Sequence, residues 1–353
     1  MEATEHNFTS TQPLHQLPNR DKLANLQDDV VHLRLANVVQ RPPRTLLEVA
    51  TRLTQTSTAI ALTMPVLCGA ILAWWEWGAL HGLILFFNLA SVLTLALGMN
   101  VLAGYCDYMH AQNAATTAET PVRPEPLMTG YGLMANGIIS PGIALNLAYW
   151  LLTASVLCSL WLTLLVGWPI LFFSTLSFML AYTYAHPPIQ YSYRGWALGE
   201  IGIFLGYGLL PIVGSYYSQS HILSSLSIWV SIPLGFLSTL IFFNYNFIYE
   251  YRDWLMHKRT LVVNMNTPRA LDVSSAATLA VYIAILCIVS LAHLPLSTLV
   301  TLAVLPTALG VFPRLRRRQI TIEDRFLLYR TTVNAAIWTG LLFSIALITD
   351  KLL

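Results

Sequence analysis

Residues 82–104 read GLILFFNLASVLTLALGMNVLAG and contain no Asp, Glu, Lys or Arg. A helix needs about 20 consecutive apolar residues to cross the hydrocarbon core of a bilayer, so this run is long enough to span one. Other runs of the same kind follow, and of all 353 residues 56% are hydrophobic and only 10% are charged. Soluble domains carry about 25% charged residues. We therefore expect an all-α, polytopic membrane protein.

Nine membrane-spanning helices are predicted, at residues 57–75, 82–104, 142–163, 168–186, 199–217, 226–248, 274–292, 295–313 and 332–349. Short cytoplasmic loops are enriched in Lys and Arg, which makes an orientation test possible. Of the 19 basic residues, 18 either precede the first span or lie in the loops after spans two, four, six and eight. The pattern predicts a multi-pass protein with its N-terminus in the cytoplasm, and the cell (inner) membrane is the simplest expectation for its location.

The part of the chain before the first span is predicted to be separate from the membrane domain. Residues 1–52 are expected to form a cytoplasmic N-terminal tail, and residues 53–353 the membrane domain. Within the tail, residues 21–40 place several apolar side chains roughly on one helical face, which is typical of an amphipathic helix on a membrane surface. A partly ordered linker is the alternative for the same residues.

Two short polar stretches stand at the ends of apolar runs. The first is Asn100-Val-Leu-Ala-Gly-Tyr-Cys-Asp107, and the second is Asn246-Phe-Ile-Tyr-Glu-Tyr-Arg-Asp253. The predicted topology places both at cytoplasmic ends, those of spans two and six. A carboxylate at the edge of a membrane is costly unless it is paired or faces water, so it marks a functional site by default. Two such stretches on one side suggest a shared cationic or phosphorylated ligand.

The spacing within these stretches predicts oxygen ligands on facing helices. Asn100 and Asp107 are two turns apart, and on a continuing helix Asn246, Glu250 and Asp253 would share one face. Amide and carboxylate oxygens suit Mg²⁺, which usually bridges to substrate phosphates.

Fixed positive charge for the same phosphates would come from Lys258, Arg259 and Arg123. Taken singly, each polar residue has a simpler interpretation. An Asn or Asp at a helix end is often a cap, and Lys258 and Arg259 could serve only as cytoplasmic anchors.

In these residues the chain resembles the UbiA superfamily of intramembrane prenyltransferases, and within it the 1,4-dihydroxy-2-naphthoate prenyltransferase branch. The similar segments are residues 100–107, 123–130, 182–188, 195–217 and 246–263, in that order along the nine spans.

The resemblance implies a Mg²⁺-dependent transferase. Such an enzyme binds a polyprenyl diphosphate through Mg²⁺ held by the two acidic motifs, and the diphosphate leaves to give an allylic cation. An electron-rich aromatic ring then attacks this cation, and 1,4-dihydroxy-2-naphthoate is the acceptor expected for menaquinone-type quinone biosynthesis. Membrane lipid is an expected partner and nucleic acid is not, and the oligomeric state is left open.

The resemblance also assigns roles to individual residues. The metal ligands would be Asn100, Asp107, Asn246, Asp253 and Glu250. Lys258 and Arg123 match positions that neutralise the diphosphate, and Arg259 and Tyr105 are weaker candidates for binding it.

Acceptor binding is implied for a second group of residues. Glu200 matches a polar position near the acceptor pocket, although a carboxylate at a helix start is also favoured by the helix dipole. Tyr182, Tyr184 and Tyr193 would line the acceptor or belong to an interfacial aromatic belt.

Each acidic motif departs from the family pattern by one residue. Family members carry a further aspartate ahead of the retained one, and these positions hold Gly104 and Tyr249 here. The loss of two carboxylates implies weaker Mg²⁺ binding, with Glu250 as the expected compensation in the second motif. The alternatives are a related enzyme with another acceptor, a terpene-cyclising enzyme or a catalytically weakened homologue. A membrane carrier or scaffold is a further alternative, although transporters more often place polar residues near the bilayer midplane.

Overall fold

The computed structural model of the chain describes residues 41–78, 80–115, 127–316 and 320–353. The predictions for residues 1–40 and for Arg123 fall outside this part. The helices, numbered in chain order, are α1 (Leu46–Thr54), α2 (Thr56–Trp77), α3 (Gly82–Ala115), α4 (Gly130–Ala135), α5 (Pro141–Val166), α6 (Trp168–Ala185), α7 (Leu198–Ser220), α8 (Ser225–Ile248), α9 (Glu250–Leu255), α10 (Thr267–Leu291), α11 (Leu296–Leu315) and α12 (Ile322–Leu352). The described residues contain no strand, which confirms the all-α class.

Nine of these helices are long and apolar enough to cross a membrane, which agrees with the predicted number for the described ranges. They are α2, α3, α5, α6, α7, α8, α10, α11 and α12. Some extend well beyond the predicted spans: α3 continues to Ala115 and α12 begins at Ile322. A helix makes its backbone hydrogen bonds within its own segment, so it can continue through polar sequence outside the hydrocarbon core. The extension of α3 carries Asp107 of the candidate site.

Two large apolar clusters, with a smaller third one around Phe247 and Leu271, hold the bundle together. One is formed mainly by α3, α5 and α6 with parts of α2 and α7, and the other by α8, α10, α11 and α12 with other residues of α2 and α7. Helices α2 and α7 therefore pack against both halves. The candidate site lies between the halves, where α3, α6 and α8 end and α2, α10 and α12 begin.

Helix α1 crosses the predicted boundary between tail and membrane domain at residues 52 and 53. Thr45 caps its N-terminus by accepting a hydrogen bond from the Glu48 N–H, and Leu53 is buried against the first apolar cluster. The division at this position stays a prediction.

Helix α2 approaches α7 most closely at Gly69, and this contact allows a stability test. A Cβ atom at Gly69 would lie 2.4 Å from the carbonyl oxygen of Ile212, a backbone atom that cannot move without shifting the helix. We expect Gly69→Ala to destabilise the fold by about 1–3 kcal/mol through overpacking, seen as a lower thermal midpoint in detergent by tryptophan fluorescence. Gly142→Ala is the matched control, because that Cβ would meet open space and alanine favours the helix. Equal midpoints for wild type and Gly69→Ala would contradict the close packing of α2 on α7.

The helix carrying the second polar stretch is interrupted, which corrects the expectation of a continuous helical face. Helix α8 ends at Ile248, Tyr249 has non-helical dihedral angles, and α9 starts at Glu250. The spacing rule for Asn246, Glu250 and Asp253 assumed unbroken helical geometry, so it does not hold across this interruption. The expectation for Asn100 and Asp107 does hold: both lie on the uninterrupted helix α3 and line one cavity.

Candidate functional site

Four charged side chains meet at the end of the bundle. The Arg252 guanidinium lies between two carboxylates, with its Nη2 atom 3.0 Å from Asp107 Oδ2 and 2.9 Å from Asp253 Oδ1. Lys258 Nζ lies 3.3 Å from Asp107 Oδ1 and 3.8 Å from Asp253 Oδ2. All four residues are buried. This ion cluster of Asp107, Arg252, Asp253 and Lys258 has equal numbers of positive and negative charges, as burial requires.

Aromatic rings surround the two cations of the ion cluster. The guanidinium carbon of Arg252 lies 4.2 Å from the ring centre of Tyr249 and 4.5 Å from that of Tyr131. Lys258 Nζ lies 4.9 Å from the ring centre of Tyr193. Ring faces attract cations most strongly in desolvated sites, so these contacts add to the stability of the buried positive charges.

The Tyr193 hydroxyl donates a hydrogen bond to Asp107 Oδ1. Burial, together with the negative charge of Asp107, raises the pKa of Tyr193 well above its usual range. The phenol therefore stays protonated and keeps its donor role. Burial also raises the pKa of the Asp253 carboxyl, against the opposing effect of Lys258 and Arg252.

A turn after α9 places the side chains of two adjacent basic residues in different environments. His257 adopts a left-handed backbone conformation with φ of 56°, and the Lys258 N–H donates to the Asp253 carbonyl at 2.8 Å. The next N–H, from Arg259, donates to the Tyr193 carbonyl at 3.1 Å. The Lys258 side chain is thereby buried in the ion cluster while Arg259 is exposed.

A small cavity, partly open to solvent, adjoins the ion cluster. Four predicted site residues line it: Asn100, Asp107, Asn246 and Lys258. Its other walls are largely aromatic and are formed by Tyr184, Phe242, Tyr245 and Tyr329. The cavity thus joins a charged end to an apolar, ring-lined space between helices.

Glu250 does not join this group, which corrects the expectation that it faces the same ligand as Asp253. Its Oε2 atom accepts hydrogen bonds from Arg325 Nη1 at 3.2 Å and from Thr267 Oγ1 at 3.4 Å. These two contacts direct the side chain toward α10 and α12. Its place in a buried ion pair with Arg325 makes it a residue that fixes α9 to the bundle.

The remaining predicted residues lie near the site without entering the ion cluster. Tyr105 is two residues before Asp107, hence on another face of α3, and it packs against the first apolar cluster. Glu200 is half-buried in the first turn of α7.

Sequence reasoning missed Arg252, which was counted only among the basic residues of the loop after span six. Its position directly before Asp253 was a usable signal, because a basic side chain beside a retained aspartate is well placed to pair with it. The contact with Asp107, 145 positions away, left no local signal.

The arrangement does not fit a metal ion held between the two aspartates. Asp107 receives hydrogen bonds from Tyr193, Lys258 and Arg252, and Asp253 Oδ1 accepts two from Arg252. The part of the chain that the structure describes contains no group of three His, Cys, Asp or Glu residues placed to hold a metal. No step proposed below therefore passes through Mg²⁺.

The fold and the site together define a class: a polytopic, all-helical membrane protein with a buried ion cluster and a ring-lined cavity at one end of its bundle. The sequence matches the model of the UbiA prenyltransferase family over residues 62–345, and the chain belongs to that family. The predicted membership is confirmed.

Solved structures share the fold. A UbiA homolog from Archaeoglobus fulgidus bound to GPP and Mg²⁺ gives a TM-score of 0.56 at 14% identity, covering 85% of this chain and 99% of that one. The apo structure of a UbiA homolog from Aeropyrum pernix K1 also gives 0.56, at 17% identity, with coverages of 83% and 97%.

A curated relative supports the predicted branch. The chain is 31% identical over 142 residues to the 2-carboxy-1,4-naphthoquinone phytyltransferase of Synechocystis sp.. The match covers 40% of this chain and 45% of that protein, so the chain spans less than half the length of this relative.

Proposed function

We propose that this protein transfers a polyprenyl group from a prenyl diphosphate to an aromatic acceptor, with 1,4-dihydroxy-2-naphthoate the acceptor in a menaquinone-type quinone pathway. The observation that carries the proposal is the junction of the ion cluster with an aromatic cavity between membrane helices. Such a junction suits a ligand with a charged head and a long apolar tail. Family membership and the partial similarity to a naphthoquinone phytyltransferase support the same reaction.

In the proposed reaction the bond between C1 of the prenyl chain and the diphosphate oxygen breaks, and diphosphate takes the electron pair. Negative charge develops on the departing oxygens, where preorganised cations stabilise the transition state most. Lys258 would contact these oxygens, since it lines the cavity and is already buried.

The allylic cation would form, and react with the acceptor, beside the aromatic side chains that line the cavity. The faces of Tyr184, Tyr245 and Tyr329 stabilise positive charge on the allylic carbon by cation–π attraction. A ring carbon of the acceptor then forms a bond to C1. The ring regains aromaticity by losing the group on the attacked carbon, either a proton or a carboxyl group as carbon dioxide.

The proposed orientation places the ion cluster at the cytoplasmic face of a cell membrane. Its support is the distribution of basic residues in the sequence, since 18 of the 19 precede the first predicted span or follow the even-numbered spans two to eight, as Asp107 and Asp253 follow spans two and six. Charged, water-soluble head groups would then reach the site from the cytoplasm while the tail stays in the bilayer.

We expect purified protein supplied with a long-chain prenyl diphosphate and 1,4-dihydroxy-2-naphthoate to release pyrophosphate and form one prenylated product. The measurement is coupled pyrophosphate detection with mass spectrometry of the lipid extract, with and without Mg²⁺. A panel with 4-hydroxybenzoate and with no acceptor is the control. Release without acceptor would indicate cyclisation of the prenyl chain, and a product from another acceptor would correct the acceptor alone. The absence of pyrophosphate under every condition would contradict the enzyme proposal.

A further inference from the structure

Arg252 occupies the place between the two retained aspartates. Its Nη2 atom contacts both carboxylates, at 3.0 Å and 2.9 Å, and its Nε atom lies 3.2 Å from Asp253 Oδ1. A guanidinium is planar, remains charged and presents several donors in a fixed geometry. It therefore joins Asp107 to Asp253 as a fixed bridging cation.

Tyr249, one of the two positions that lack an aspartate, helps to seat this arginine. Its ring faces the Arg252 guanidinium at 4.2 Å. Its hydroxyl lies 3.0 Å from Thr129 Oγ1, the residue whose side chain caps the N-terminus of α4. Tyr249 thus contacts Arg252 through its ring and the N-terminus of α4 through its hydroxyl group.

Gly104, the other such position, acts on the arginine through Tyr131. A Cβ atom at Gly104 would lie 3.1 Å from the backbone nitrogen of Tyr131, which is closer than most real contacts. Without a side chain there, α4 can approach α3, and the Tyr131 ring then lies 4.5 Å from the guanidinium. An aspartate at either position would remove a contact that now holds Arg252.

Lys258 has donors beyond those that its aspartate contacts use. An ammonium group has three N–H donors, and among the described residues that of Lys258 makes one hydrogen bond, to Asp107 Oδ1. Its distance of 3.8 Å from Asp253 Oδ2 exceeds hydrogen-bond length, and this oxygen is buried with no hydrogen-bond partner in the described part of the chain. Lys258 also faces the cavity.

We propose that Arg252 replaces a bridging metal ion between Asp107 and Asp253, and that Lys258 binds a prenyl diphosphate without a divalent cation on these carboxylates. The identity of the ligand rests on the proposed function, whereas the role of Arg252 does not. The absence of aspartates at positions 104 and 249 and the presence of the Arg252 guanidinium act in the same direction, because each makes the site more positive. The Mg²⁺ expected from the sequence then has no place between these aspartates.

The first test uses a metal ion alone, so it does not depend on activity. Mn²⁺ serves as a spectroscopic probe, with bound and free ion separated by electron paramagnetic resonance of the detergent-solubilised full chain. We expect wild type to bind no Mn²⁺ at Asp253, so that wild type and Asp253→Asn bind the same amount. Arg252→Gln is expected to gain about one Mn²⁺ per chain, because two carboxylates then lack their bridging cation, and to lose it again when Asp253→Asn is added.

Arg316→Gln is the matched control, since it removes an arginine paired with an aspartate on the exposed surface. It should bind no more Mn²⁺ than wild type. The proposal would be overturned if wild type bound one Mn²⁺ per chain and Asp253→Asn abolished this binding. It would also be overturned if Arg252→Gln folded but bound no additional Mn²⁺. If Arg252→Gln does not fold, the proposal is tested with wild type and Arg252→Lys, which both keep a cationic side chain at this position. Mn²⁺ bound at Asp253 in either protein would contradict bridging by that side chain.

The second test measures binding of geranyl thiolodiphosphate, a prenyl diphosphate that resists cleavage, by calorimetry in EDTA and in Mg²⁺. We expect the two dissociation constants to agree within about tenfold, which corresponds to about 1.4 kcal/mol. Binding that requires Mg²⁺ would overturn the metal-free role of Lys258. Failure to bind in both buffers would contradict the proposed function instead, and the Mn²⁺ experiment would still report on Arg252.

Discussion

Asp253→Ala is expected to lower prenyl transfer by about 10²–10³-fold, the usual cost of removing one preorganised electrostatic group from an active site. Asp253 fixes Arg252 through two contacts to its Oδ1 atom and lies 3.8 Å from Lys258. Without this carboxylate both cations lose one of their two anionic partners and keep only Asp107. The measurement is the rate of pyrophosphate release at saturating prenyl diphosphate.

The protein should remain folded, because the two large apolar clusters draw most of their residues from the membrane-spanning helices, whereas Asp253 lies on the short helix α9. Asp272→Ala is the matched control, since its carboxylate forms an exposed pair with Arg316 and surface pairs contribute little. Breaking a buried pair can cost about 3–5 kcal/mol, so Asp253→Asn replaces Asp253→Ala if the latter unfolds. Wild-type rates in a folded Asp253 variant would remove this aspartate from the site.

Lys258→Gln is expected to weaken prenyl diphosphate binding and turnover together, by about 10²-fold or more in kcat/KM. Lys258 is buried against the cavity, and its ammonium group is the one we expect to meet the diphosphate. Charge-assisted bonds to phosphate oxygens are about twice as strong as neutral ones, and glutamine cannot supply that charge. The measurement is kcat/KM for the prenyl diphosphate at fixed acceptor.

Arg259→Gln provides a control one residue away. It removes the same charge from a side chain that is exposed rather than buried, so we expect less than about a threefold change, within the range of a screened surface charge. Equal losses for the two variants would show that general positive charge, and not the position of Lys258, determines binding.

The sequence could predict the nine helices because membrane insertion depends on the hydropathy of contiguous residues. It could also place Asn100 and Asp107 on one helical face, since α3 is uninterrupted. The same rule failed for Glu250. Glu250 pairs instead with Arg325 and Thr267, and contacts between such distant parts of the chain leave no signal in local periodicity.

The sequence by itself determined the fold class, the predicted side of the membrane on which the charged residues lie, and the two polar stretches that contribute to the site. These features depend on composition and local spacing. Only the tertiary structure decided that Lys258 is buried while Arg259 is exposed, that Glu250 pairs with Arg325, and that Arg252 bridges Asp107 and Asp253. The reason is physical: the partner of a buried charge is chosen by helices that meet in space, and Asp107 and Arg252 are 145 positions apart in the chain.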